Sequence, residues 1–89
     1  MSAFIITRIH VGDYERWRRL YDQDVPRARE KATAQRVFRM VDDPNHVFVQ
    51  LEFATTEDAE EARRRLVESR VLDRFDDVHG PSVLVDADA

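Results

Sequence analysis

Three histidines, two tyrosines and one tryptophan are the residues of this chain best suited to chemistry at neutral pH. His10 ends a β-rich stretch and lies close to Tyr14 in sequence. Imidazole exchanges a proton near neutrality, so a histidine at the rim of a cleft is the natural general base. The alternative is a partly buried ring bonded to backbone or to an acid. Tyr14, Trp17 and Tyr21 recur at helical spacing. Three amphipathic rings on one stripe can line a slot for a flat aromatic ligand, with hydroxyl and indole donors to orient it. The same stripe also serves as plain helix–sheet core, although leucine or isoleucine would fill a core without polar atoms to satisfy. Phe38 and Glu52 fall in stretches that read as strands and complete the expected ligand-contacting set. Glu52 is also a partner for Arg39, across a hairpin or across a dimer, or a catalytic acid.

Other chemistries find no footing. His46 and His79 read as solvated turn residues, and histidines this scattered suggest no metal site. Two glycines cannot build a phosphate-cradling loop. The absence of cysteine excludes thiolate catalysis, cysteine-ligated metals and disulfides. No Ser-His-Asp signature stands out, and no cofactor is called for.

These residues must be positioned by a small scaffold. Eighty-nine residues make one domain, spanning the whole chain 1–89, with a thin core. Hydrophobic residues are 43% and charged residues 36%, a globular balance with a heavily charged surface. A disulfide-free domain of this size often gains burial by oligomerising. The net charge of −4 is spread without a basic stripe, so nucleic acid is not an expected partner. The one basic cluster, Arg63-Arg64-Arg65, follows Glu57, Asp58, Glu60 and Glu61, which reads as a solvated, ion-paired helix face. No apolar run approaches the length of a signal peptide core or a membrane span, so the expected location is the cytoplasm.

Residues 3–11 are rich in Ile, Phe, Val and Thr and read as a first strand. Gly12 breaks it and Asp13 caps a helix. A helical stripe of Tyr14, Trp17, Tyr21, Val25, Ala28 and Ala32 then runs to about residue 32, with a kink or restart at Asp24-Val25-Pro26 because proline removes a backbone donor. Residues 34–41 read as a second strand, Asp42-Asp43-Pro44-Asn45 as a turn, and residues 47–53 as a third strand. Thr55, with Asp58 as capping-box partner, starts a second helix whose narrow stripe is Ala59, Ala62, Leu66 and Ser69. Leu72, Phe75 and Val78 suggest a short further helical segment, stopped by His79-Gly80-Pro81. Residues 82–85 read as a last strand, with a frayed tail over 86–89.

The order strand, helix, strand, strand, helix, strand is the ferredoxin-like β-α-β-β-α-β layout, an α+β fold. Right-handed crossovers place both helices on one face of its four-stranded antiparallel sheet. The other face is bare unless something covers it. Val47, Val49, Leu51 and Phe53 share one face of the third strand, while Phe48, Gln50 and Glu52 share the other. Phe38 and Met40 oppose Val37 and Val41 on the second. Large side chains on both faces predict that both are covered, most simply by a second copy of the chain.

Several landmarks recur together: Asp13-Tyr14-Glu15-Arg16-Trp17 after a strand ending in His10, Tyr21-Asp22, Val37-Phe38-Arg39, Asp42-Asp43-Pro44-Asn45, Glu52-Phe53, Ser69 with Leu72, and Gly80-Pro81. In these the chain resembles small proteins of the dimeric α/β-barrel superfamily, relatives of the antibiotic-biosynthesis monooxygenase (ABM-like) domains and small polyketide cyclases. The resemblance runs over nearly the whole chain. It implies two subunits with sheets face to face, helices outside, and a ligand cleft in each subunit between sheet and helices. The chain departs from the usual pattern at Lys31-Ala32-Thr33, where relatives often carry a glycine turn, and at Asp76-Asp77-Val78-His79, which is more charged.

Two functions follow. The first is small-molecule binding or a cofactor-independent enzyme, monooxygenase- or cyclase-like, acting on an aromatic or polyketide-like compound. There His10 takes a proton while Tyr14, Trp17 and Tyr21 position the ring. The second is a non-catalytic homodimeric binding module. The geometry expected for the first sets His10 beside Tyr14 at the mouth of the cleft. The two readings part on whether the space between the first helix and the sheet is open or filled by the aromatic stripe.

Overall fold

Burial alternates strictly along two strands of the structure, a computed structural model that describes residues 2–88. In β1 (Ala3–His10), Ala3, Ile5, Thr7 and Ile9 are buried and their neighbours half-buried. In β3 (His46–Phe53), Val47, Val49, Leu51 and Phe53 are buried in the same way. Side chains on a strand point to opposite faces in turn, so these two sets form one covered floor. The antiparallel register sets Ile5 opposite Leu51, Thr7 opposite Val49 and Ile9 opposite Val47. The order β2-β3-β1-β4 adds β2 (Ala34–Arg39) beside β3 and β4 (Asp76–Val85) beside β1, both antiparallel. With the helices α1 (Tyr14–Gln23) and α2 (Thr56–Ser69), this is the ferredoxin-like layout read from the sequence.

The helices close over that floor through few residues. Trp17 is the buried residue of α1 and Ala59 and Ala62 those of α2. Small alanines let α2 lie close to the sheet, while Leu66 packs at the edge of the core. Ser69, expected on the same stripe, is exposed and its hydroxyl donates to the Leu66 carbonyl. Thr55 caps α2 by accepting from the Asp58 amide at 3.1 Å, one half of a capping box. The other half is not made: the Asp58 carboxylate faces Lys31 at 3.7 Å. On the outer face Arg65 pairs with Glu61 at 2.8 Å and Arg64 with Glu68 at 3.9 Å, whereas Arg63 donates to the Pro81 carbonyl.

Three expected boundaries move. α1 does not kink and resume at Pro26. It ends where Asp24 turns left-handed at φ 45°, and residues 24–32 continue as turns. The Asp24 carboxylate accepts from the Ala28 and Arg29 amides, which holds this strap in place. Val25, expected on the buried stripe, is 73% exposed, while Ala28 is buried. β2 stops at Arg39, leaving Val41 in the turn and 95% exposed. β4 begins at Asp76, so Val78 and His79-Gly80-Pro81 lie inside a strand and only Val71–Arg74 forms a 3₁₀ turn. The strand runs through them because its register with β1 shifts twice. Ile6 pairs with Ser82 and Arg8 with His79, leaving Gly80 and Pro81 together opposite Thr7. Bulges of this kind absorb residues that a regular ladder rejects. Of the expected frayed tail, Ala89 lies outside the described residues.

Candidate functional site

The β1–α1 corner is set by a residue from another loop. Gly12 adopts φ 71° and Asp13 caps α1 by accepting from the Arg16 amide. Asn45, in the β2–β3 turn, accepts from the Tyr14 amide at 3.1 Å and donates to the Gly12 carbonyl at 2.8 Å. The corner is thereby tied to the hairpin, and the first turn of α1 is fixed over the sheet.

Beneath α1 lies a cleft of about 80 Å³ between the covered sheet face, the 24–29 strap and the 3₁₀ turn. Thr7, Ile9, Val49 and Leu51 form its floor, and Trp17, Tyr21, Leu72 and Phe75 its walls. Trp17 is 5% exposed. Its ring stacks on Tyr21 with centroids 5.0 Å apart and planes inclined by 27°. Tyr21 is held from outside: the Arg29 guanidinium lies 4.0 Å above its ring and its hydroxyl donates to Gln35 Oε1 at 2.7 Å. Burial raises the Tyr21 phenol above its ordinary value, against the opposing pull of the Arg29 and Arg18 cations. Tyr21 therefore stands in the cleft as a neutral phenol. Arg29 also donates to Gln35 Oε1 and to the Tyr21 carbonyl, and Asp24 serves as the cap described above, so the charged groups at the mouth are spent on holding it.

Of the expected ligand set, Trp17 and Tyr21 line this cleft. Tyr14 does not. Its ring contacts Trp17 at 5.8 Å but is covered by the Arg39 guanidinium at 3.8 Å, and its hydroxyl accepts from Arg18. Phe38 and Glu52 lie on the face turned away from the helices. Phe38 pairs with Phe48, and Glu52 with Phe4 and Ala34. Arg39 stands opposite Val47, so the expected Arg39–Glu52 pair across the hairpin does not form.

His10 also belongs to the open face, which corrects the expectation that it meets Tyr14 at the cleft mouth. Ile9 is 1% exposed beneath the helices, and strand alternation turns its neighbour outward. The His10 ring reaches Asp43 at 3.2 Å and meets His46 edge-on at 5.8 Å. His46 is not the solvated turn residue expected. It opens β3, stacks on Phe48 at 5.6 Å and keeps only 15% of its side chain exposed. Asp77 gathers this end of the sheet, at 2.9 Å from His79, 3.4 Å from His46 and 3.7 Å from Arg8. The His79 contact foremost, then the nearby cations, holds its carboxyl below the usual aspartate value. Among the described residues no group of three or more histidine or acidic side chains is arranged to hold a metal ion.

The sequence reading missed Thr7, the strap residues Asp24 and Arg29, and the contribution of Leu72 and Phe75 to the cleft wall. Thr7 had a legible signal: it is the lone polar residue between Ile5 and Ile9 on an alternating face. Arg29 had none, since its role depends on where the strap folds back.

No family model matches the sequence, and no curated protein does. Solved structures do. The chain is similar to SnoaB, a cofactor-independent oxygenase from Streptomyces nogalater, with a TM-score of 0.75 at 10% identity, over 97% of this chain and 93% of SnoaB. It is similar to Rv0793 from Mycobacterium tuberculosis, with a TM-score of 0.68 at 15% identity, over 100% of this chain and 98% of that one. It is also similar to a NIPSNAP family protein from Agrobacterium tumefaciens, with a TM-score of 0.65 at 14% identity, over 99% and 95%. At these identities the likeness establishes architecture alone: the chain shares the ferredoxin-like α+β fold of these proteins.

Proposed function

We propose that the chain works as a homodimer whose cleft, one per subunit, binds a small flat aromatic compound. The observation that carries this reading is the cleft itself: an apolar space bounded by the stacked Trp17–Tyr21 pair on one side and Val49 and Leu51 on the other. Its volume of about 80 Å³ is roughly half of the 150 Å³ that holds a benzene in an engineered cavity. A ring enters by displacing wall side chains. Leu72 and Phe75, half-buried on and beside the 3₁₀ turn, are the wall side chains proposed to move.

The similarity to a cofactor-independent oxygenase supports chemistry in which the substrate's own electron-rich ring supplies the reactivity. The placement of His10 on the far face favours the second reading, binding without turnover, because the cleft's ionisable lining consists of a neutral phenol and an engaged Asp24–Arg29 pair. If turnover occurs, the proton leaves the substrate by a route other than His10.

Exposed apolar side chains on the open face support the dimer. Phe38 is 42% and Leu84 43% exposed, and Phe4, Ile6 and Phe48 are half-buried beside them. A contiguous apolar patch of this kind marks an interaction surface, and a second copy presenting the same sheet is its simplest cover. No described helix is long and apolar enough to cross a membrane.

Calorimetric titration with one- to three-ring phenols tests the cleft. Saturable binding is expected, and Ala28→Phe, which fills the cleft from its buried strap residue, should remove it. Absence of binding by the whole series at millimolar concentration overturns the reading.

A further inference from the structure

We infer that Thr7 is the polar anchor of the cleft, and that the compound it takes carries a hydroxyl or carbonyl oxygen on its ring, set against the Thr7 hydroxyl. This rests on the reading that the cleft binds a small aromatic.

Thr7 is the polar residue of an otherwise apolar floor. The covered face of β1 and β3 is Ala3, Ile5, Thr7 and Ile9 beside Val47, Val49, Leu51 and Phe53. Thr7 is 5% exposed and is the buried polar residue of the described core. Its hydroxyl makes no side-chain hydrogen bond among the described residues. It is also absent from the polar atoms that are wholly sealed without a partner, which are Arg8 Nε and His46 Nε2. Thr7 is among the residues that line the cleft. Valine has the same shape, suits a strand equally and leaves nothing to satisfy. A threonine here makes sense if a partner arrives from the cleft.

The backbone around Thr7 is held unusually closely. Gly80 and Pro81 of β4 together face Thr7. A Cβ on Gly80 would lie 2.6 Å from the Ile6 carbonyl oxygen and 3.4 Å from Thr7 Cα. Bulges commonly re-aim a side chain beside a site, and this one fixes the strand from which the hydroxyl projects.

The other polar lining groups, the Trp17 indole apart, are occupied. The Tyr21 hydroxyl donates to Gln35, Arg29 binds Gln35 and the Tyr21 carbonyl, and Asp24 caps the strap. The Trp17 indole N–H makes no hydrogen bond among the described residues either, but it is a donor alone, whereas the threonine hydroxyl both donates and accepts. A ring oxygen can thus meet the hydroxyl as phenol or as carbonyl, with the ring against Trp17 and Leu51.

The test compares p-cresol with toluene, two rings of nearly one shape that differ by a hydroxyl, titrated into wild type and Thr7→Val. The wild type should prefer p-cresol about tenfold, and the variant should lose that preference while binding toluene as well as before. A preference that survives in Thr7→Val, with toluene still bound, overturns the assignment of Thr7 and leaves the cleft reading standing. Failure of both compounds to bind the wild type overturns the cleft reading, and this inference with it. If Thr7→Val does not fold, Thr7→Ser against Thr7→Ala makes the same comparison: serine should keep the preference and alanine lose it.

Discussion

Replacing Trp17 by alanine should cost about 3–5 kcal/mol, the range for truncating a large buried aromatic. The indole is 5% exposed, so nearly all of its surface leaves water on folding. A side chain of this class buries about 150–250 Å², which at about 25 cal/mol/Å² is worth about 4–6 kcal/mol. Alanine keeps a small part of that. Stacking on Tyr21 at 5.0 Å and contact with Tyr14 at 5.8 Å add to the loss, because aromatic pairs carry about 0.5–1.5 kcal/mol beyond their area. The adjoining cleft works the other way. Its walls have room to relax inward, which keeps the figure within the range for truncations. A domain of this length has about 5–13 kcal/mol of stability in all, so the variant should be close to half unfolded under mild denaturant. The assay is thermal unfolding followed by far-ultraviolet circular dichroism. A loss of this size should lower the midpoint by at least about 12 °C. Trp17→Phe, which keeps a ring against Tyr21, should recover more than half of the loss. A midpoint within about 2 °C of wild type for Trp17→Ala would show that the indole does not lie beneath α1, and would remove the cleft's main wall.

Two further outcomes follow. Light scattering at micromolar protein should give about twice the 10.5 kDa chain mass, and Phe48→Asp on the open face should give a folded monomer; a wild type that is monomeric at that concentration would leave the open sheet uncovered and the dimer refuted. Asp77→Asn should destabilise the protein near neutrality and progressively less in acid. The carboxyl's folded value lies below its ordinary 3.8, so its contribution is complete above that pH and vanishes as pH falls through the depressed value; asparagine tolerates the positive φ of 49° there, and a gap in melting temperature that stays constant from pH 7 to pH 2 would show that charge is not its cause.

The layout was legible because local signals agreed with the global pattern. Val47, Val49, Leu51 and Phe53 alternate cleanly, Thr55 caps where a cap belongs, and Asp42-Asp43-Pro44-Asn45 is a turn on any reading. The face occupied by His10 was not legible, and the reason is specific. β1 has large apolar side chains on both faces, Ile5 and Ile9 on one and Phe4 and Ile6 on the other, and polar ones on both, Thr7 against Arg8 and His10, so its pattern alone does not separate inside from outside. Only the helices decide, and they cover Ile9. The start of β4 was hidden for a different reason. Glycine and proline punctuate chains by default, and here they fall at a bulge where the ladder does not need a proline donor. The end of α1 was set by competition between a helical stripe that continues through Val25 and Ala28 and a proline that forbids it. Proline prevailed, and Ala28 reached the core on a strap of turns instead. The cleft itself joins residues from β1, α1, the strap, β3 and the 3₁₀ turn, so no single stretch of sequence announces it.

The measurement closest to the central claim is a two-dimensional NMR titration of the labelled protein with p-cresol, read residue by residue. The account predicts saturable shifts centred on Thr7, Trp17, Tyr21, Leu51 and Leu72, with the amides of Phe4, Phe38 and Phe48 on the open face unmoved. Shifts centred on those three phenylalanines, or on His10 and His46, would place the ligand on the opposite side of the sheet and contradict it.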